Sequence, residues 1–197
     1  MNRWGAVAVL LLALAGALAL RLPRLEVRPL HNDEAVNALK LAELWQHGRY
    51  RYDPDEFHGP TLHYFSWALL RLISAPAPER WTETHLRLTP VVFGVALIPL
   101  LFLFADGLGR RAVAWAAVFT AVSGATVFYS RYFIHETLLV FFTTLTLGAG
   151  WRWSRTRRAS WAPTWLLPSC ISAWNTSASP MRSSGGWPTS CVPTAWM

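Results

Sequence analysis

Apolar positions along the chain gather in blocks rather than alternating with polar ones. Four blocks, residues 4–22, 86–104, 112–129 and 133–151, are nearly continuous hydrophobic runs. Each approaches the roughly 20 residues that a helix needs to cross a bilayer. The pattern predicts an all-α integral membrane protein with about four transmembrane helices. Between the first two blocks lies a polar stretch, residues 23–83, long enough to form a loop with structure of its own. Residues 35–45 carry helical periodicity within it. A shorter apolar run, residues 61–75, contains His63 and Arg71. It reads as an amphipathic helix lying at the membrane interface, with Tyr64 and Trp67 as anchors.

Charge decides the orientation. With four crossings and a cytoplasmic N-terminus, Arg3, the Arg110–Arg111 pair and Arg152, Arg155, Arg157 and Arg158 all fall on the inner side. That obeys the positive-inside rule. A fifth crossing at residues 61–75 would move the later arginines outside. The chain is therefore expected to sit in the cell membrane as a multi-pass protein, with the loop at 23–83 extracytoplasmic. A competing reading takes the first block as a cleaved signal peptide, given Arg3 and the small residues Ala15, Ala17 and Ala19. Against it stand the length of the run and the blocks that follow.

Composition agrees with a membrane class. The chain is 53% hydrophobic and 15% charged, against about 25% charged in ordinary soluble domains. The net charge of +7 could point to nucleic acid, but all 11 acidic and 13 of the 18 basic residues precede residue 151. The excess belongs to the tail, and no basic stripe with interleaved aromatics accompanies it, so no nucleic-acid partner is expected. Cys170 and Cys191 lack metal-site spacing. The chain divides into a membrane module, residues 1–158, and an irregular Ser-, Pro- and Trp-rich tail, residues 159–197. The tail has no helical periodicity and no acidic residue. It reads either as disordered or as the product of a shifted reading frame.

Three polar clusters carry the candidate chemistry. The loop opens with His31-Asn32-Asp33-Glu34. An acid beside an apolar surface is partly desolvated, which raises its pKa and suits it to general-base work; the plainer reading has Asn32 or Asp33 capping the helix that follows. Next comes the turn-rich segment around Asp53, Asp55, Glu56 and His58. His58 among carboxylates fits either a metal ligand or a solvated loop histidine. The third cluster, Tyr129-Ser130-Arg131-Tyr132-Phe133-Ile134-His135-Glu136, falls between the last two blocks, on the same side as Asp33. Arg131 offers a bidentate fork for phosphate and Glu136 a further carboxylate; a snorkelling arginine with a capping acid is the structural alternative. Tyr129 and His135 complete the group of residues expected to bind substrate. Acids and an arginine at headgroup depth suit a lipid phosphate.

These strings resemble the GT-C superfamily of membrane glycosyltransferases, which take sugars from polyprenyl phosphates. The nearest likeness is to the prokaryotic group of flippase-activity-associated proteins of the archaeal N-glycosylation type. The resemblance rests on HNDEAVNALK (31–40), YDPDEFHGPTLHYFSWALLRL (52–72), Arg87-Leu88-Thr89-Pro90 and FYSRYFIHETLLVFF (128–142). It implies that Asp33 is the general base on the acceptor, with Glu34 second in that motif and Glu136 the acid of the second external loop. Arg131 matches a basic residue suited to the donor phosphate. His58 stands where many relatives carry lysine in a Lys-Pro-Pro string, which weakens a phosphate role and leaves metal binding open. A divalent metal would then be held by Glu34, His58 and Glu136.

Full relatives are longer, so the chain is expected to be inactive or at best an incomplete module. The implied activity is transfer of a sugar from a polyprenyl-phosphate donor to an acceptor on the outer face, with the bilayer as its environment. Rival readings are a transporter or lipid-linked-sugar flippase, and a non-catalytic membrane scaffold. Mid-span charge and inverted repeats, expected of the former, do not occur. Sugar, acceptor and protein partners are not specified by the residues.

Overall fold

The computed structural model describes residues 2–52 and 59–161. These residues fold into helices joined by turns, with no strand among them. In order, α1 is Arg3–Arg21, α2 Asn32–His47, α3 Thr61–Leu72, α4 Glu83–Leu100, α5 Ala105–Leu108, α6 Arg110–Val122, α7 Gly124–Ser130 and α8 Glu136–Trp161. His58, and the tail beyond residue 161 with both cysteines, to which the two readings of the tail refer, lie outside the described residues.

Two stretches are long and apolar enough to cross a membrane: Trp4–Arg21, and Glu83–Leu108, in which a short 3-10 turn links α4 to α5. A third is available if α6 and α7 are one span, for they meet at a bend of 58°. The bend falls at Ser123-Gly124, inside the block expected to run unbroken from 112 to 129. A Ser/Gly pair is a common site for a sharp helix kink. Thr126 supports it, its hydroxyl donating to the Thr120 carbonyl at 2.7 Å and the Ser123 carbonyl at 3.0 Å. The fourth block forms the start of α8, which is helical but is not among the stretches that pass on length and composition.

Two cores result. Ala13, Ala17, Ile98, Ala117 and Ala121 interlock where α1, α4 and α6 meet. Small side chains there let the helices approach closely, as membrane helices must when lipid offers no hydrophobic drive for association. The second core, Leu41, Leu44, Leu62, Leu70, Leu86, Phe133 and Leu138, joins α2 and α3 to the first turn of α4 and the start of α8. It roofs the bundle and carries the candidate site.

The expected helix at 61–75 is α3, twelve residues long. At 1.5 Å per residue it is too short to cross. Its stripe of Leu62, Ser66 and Leu70 is buried against protein. Of the two expected anchors, Tyr64 is exposed, whereas Trp67 packs on the second core. α2 ends where Gly48 takes φ +70°, the left-handed conformation that closes many helices.

Candidate functional site

The site grows from the first turn of α2. Its cap is His31, not Asn32 or Asp33: the His31 Nδ1 accepts a long bond from the Asp33 amide at 3.5 Å, and the His31 amide donates to Glu34 Oε2 at 3.1 Å. This reciprocal arrangement aims two adjacent acids in opposite directions. Glu34 points inward and is fully buried. Asp33 points outward, its side chain 65% exposed and 3.6 Å from His31 Nδ1.

Glu34 is the centre of a buried ion pair. Arg87 on α4 grips it with Nε to Oε1 at 2.9 Å and Nη2 to Oε2 at 2.8 Å. The Phe133 amide donates to Oε1 at 2.9 Å, and Arg28 reaches Oε2 at 3.4 Å. Burial alone would raise the Glu34 pKa. The Arg87 fork and the Phe133 and His31 amides outweigh it and hold the carboxyl below its ordinary range. The desolvated acid of this motif is thus held as an ion-pair latch. Arg87 spends its remaining donors on the carbonyls of Leu25 at 2.6 Å, Arg28 at 2.8 Å and Pro29 at 3.2 Å. One guanidinium therefore fixes the chain between α1 and α2 to the top of α4. Asn37, one turn further along α2, donates to the Phe133 carbonyl at 3.1 Å.

The other predicted residues divide among neighbouring places. Arg131 is not a free fork. Its terminal nitrogens donate to the carbonyls of Leu20 at 3.1 Å, Pro23 at 2.8 Å and Arg24 at 3.1 Å, at the end of α1. Tyr129 and Glu136 share a cavity of about 240 Å³ between α4, α7 and α8, with Gly94, Leu97 and the buried Thr137 also in its wall. His135 lies against a different opening beside α3; its Nε2 is 3.1 Å from the Gly59 carbonyl and its ring 5.5 Å from that of His63.

Beside Asp33 runs a row of rings. His31 and Tyr132 are 5.8 Å apart, and Tyr132 stacks on Phe128 at 5.7 Å. Burial, then Glu34 and Asp33, raise the Tyr132 pKa, while Arg28 and Arg87 oppose them. Behind this row is a cavity of about 390 Å³ whose wall includes Arg24, Arg28, Arg87 and Arg131. The sequence reading missed this convergence, because only Arg131 of the four stands in a cluster singled out for chemistry. It also missed Arg21, fully buried at the end of α1.

Of the three expected metal ligands, Glu34, His58 and Glu136, His58 lies outside the described residues. Among the described residues no three His, Cys, Asp or Glu side chains gather as a metal group, and Glu34 is committed to Arg87 and backbone amides.

Comparison with known proteins bears on the same helices. The family model of dolichyl-phosphate-mannose-protein mannosyltransferases matches residues 64–173, more than half of the chain. The chain belongs to that family. It is accordingly a membrane glycosyltransferase of the GT-C type, as its motifs implied. Within this mannosyltransferase family match lie Arg87, Tyr129, Arg131, His135 and Glu136; Asp33 and Glu34 precede it. No curated protein and no solved structure matches the chain.

Proposed function

We propose that the chain serves transfer of a sugar from a polyprenyl-phosphate donor to an acceptor hydroxyl, at the membrane face that carries α2. The observation that carries this reading is the split of the acid pair: Glu34 locked by Arg87, Asp33 presented to solvent on the same rigid turn. A base must reach its proton, and only the outward carboxylate can. Asp33 takes the proton of the acceptor hydroxyl. The acceptor oxygen bonds to the anomeric carbon from the face opposite the leaving group, and the bond from that carbon to the phosphate oxygen breaks. The configuration inverts, and the phosphate carries away the bonding electrons. Positive charge from the arginine-walled cavity offsets the charge that develops there. Glu136 and Tyr129 offer a carboxylate and a phenol to sugar hydroxyls in the neighbouring cavity. The N-terminus is placed in the cytoplasm, with Arg110 and Arg111, and α2 on the outer side.

Membranes carrying the chain, supplied with radiolabelled polyprenyl-phosphate mannose, test the reading. Transfer of label to membrane acceptors should fall by at least about a hundredfold in Asp33→Asn, in the range of lost general-base catalysis, with membrane insertion unchanged. Transfer undiminished in that variant would remove Asp33 as the base. Absence of transfer by the unmodified chain would overturn the enzymatic reading for it and agree with the expectation of an inactive chain, whereas transfer would overturn that expectation.

A further inference from the structure

Among the four arginines of the 390 Å³ cavity, donors are unequally committed. Arg87 uses every nitrogen on Glu34 and on three carbonyls. Arg131 uses both terminal nitrogens on the end of α1. Arg28 differs. Its side chain is 44% exposed, and its one acidic contact among the described residues is the long 3.4 Å approach to Glu34, whose oxygens Arg87 already holds at shorter range. Its guanidinium lies over two rings, 4.4 Å from the Tyr132 centroid and 5.3 Å from that of Phe128. Stacking of this kind fixes the plane of a guanidinium while leaving its edge N–H groups open. Arg24 stands beside it at φ +55°, and among the described residues its guanidinium has no hydrogen bond or ion pair. Among the described residues, none of the side chains in the cavity wall is acidic. The volume lies within the range of small-ligand sites, about 300–1,000 Å³.

We propose that this cavity is a phosphate seat in which Arg28, held flat on Tyr132 and Phe128, makes the direct bidentate contact and Arg24 closes over it, while Arg87 and Arg131 form its fixed positive wall. The proposal rests on the reading that the donor is a lipid phosphate. It moves the phosphate contact from Arg131 to Arg28. The shared chemistry is a phosphate monoester or diester dianion or monoanion, carried by a lipid or free in water. Arg28 reaches the anion without breaking the latch, since Glu34 keeps the Arg87 fork and two amides when Arg28 turns away.

Equilibrium binding to the full chain in detergent micelles tests this, by calorimetry with farnesyl phosphate, farnesol and inorganic phosphate. Farnesyl phosphate should bind and farnesol should not. Arg28→Gln should weaken binding by about tenfold or more, as expected for loss of a bidentate charge-assisted contact. Arg28→Lys keeps the charge beside Glu34, and so the local fold, but loses the fork and the stacking; it should fall between the two. Arg80→Gln, an exposed arginine on the turn before α4, controls for net charge and should bind as the unmodified chain does. Farnesyl phosphate bound much more tightly than inorganic phosphate marks a lipid headgroup seat; equal affinity marks a seat for the free ion, and either supports the assignment. Arg28→Gln and Arg28→Lys that bind as Arg80→Gln does would overturn it, as would farnesol binding as well as its phosphate. Because the readout needs no turnover, loss of sugar transfer and loss of this seat are separate results.

Discussion

Two arginines are buried among the described residues, and they are neutralised in opposite ways. Arg87 meets a carboxylate, Glu34, in a two-point ion pair. Arg21, at the end of α1, meets none. Its Nε donates to Ser130 Oγ at 2.9 Å, its Nη1 to the Ala121 carbonyl at 2.8 Å, and its Nη2 to the Thr120 carbonyl at 3.0 Å and Thr126 Oγ1 at 3.3 Å. Those carbonyls end α6, where the bend takes away their partners in the next turn and the helix dipole is negative. A cation that mends a broken helix can be satisfied by dipoles. A cation that ties a loop to a helix here uses a full opposite charge. The difference teaches where each junction is fragile: one fails when a charge is bared, the other when a geometry is lost.

The largest effect should follow from baring the charge. Arg87→Met leaves Glu34 buried without its partner and should destabilise the chain by about 3–5 kcal/mol. Thermal unfolding in detergent, read at α-helical ellipticity, would check it. Adding Glu34→Leu to that variant should recover part of the loss, because no unpaired ion remains; no recovery would mean that the Phe133 and His31 amides, rather than the charge, dominate.

A smaller loss is expected at the other junction. Arg21→Met strands the Ala121 carbonyl and takes one donor each from the Thr120 carbonyl and the Ser130 and Thr126 hydroxyls, and should cost about 1–3 kcal/mol. Arg21→Lys should rescue little of it, since an ammonium has no planar fork to reach Ser130 and the α6 carbonyls together. Rescue by lysine would show that charge rather than geometry matters there, and would erase the contrast.

The smallest effect is in pH. The Glu34 carboxyl lies below its ordinary range when folded, against about 4.3 when unfolded. Its contribution is therefore complete above about pH 4.3 and drains away as pH falls through the folded value. Glu34→Gln should flatten that acid loss, whereas Arg21→Met should leave its slope unchanged. Unfolding midpoints between pH 6 and 3 would separate them.

How much of this was legible in the chain follows from what kind of information each feature needs. The helices α1 and α4, long and apolar enough to cross a membrane, and the short helix α3 are local patterns of apolar residues, and a single sequence displays them. The bend at Ser123-Gly124 had its local signal too, but the unbroken hydrophobicity around it hid the break. The family resemblance was readable from ordered strings, and the family match on residues 64–173 agrees with it. The fate of Glu34 was not readable. An acid next to an acid looks like a catalytic pair until Arg87, 53 residues on, and Phe133, 99 residues on, are known to meet it. The carbonyl partners of Arg131 were hidden for the same reason, lying more than 100 residues earlier. Pairings across such separations are set by how helices pack, which periodicity does not encode.

The latch also imposes an order of events on the making of the protein. Its carboxylate comes from residue 34, but its donors come from residues 28, 31, 87 and 133. A chain emerging residue by residue holds Glu34 without a strong partner until Arg87 has been made, and without its last amide until Phe133 follows α7. Through that interval the first turn of α2 has no reason to stay buried. The burial of Glu34 is thus completed only after the turn beyond α7 has been synthesised, so that the turn carrying Asp33 is anchored late, by the same residues that complete the roof above the bundle.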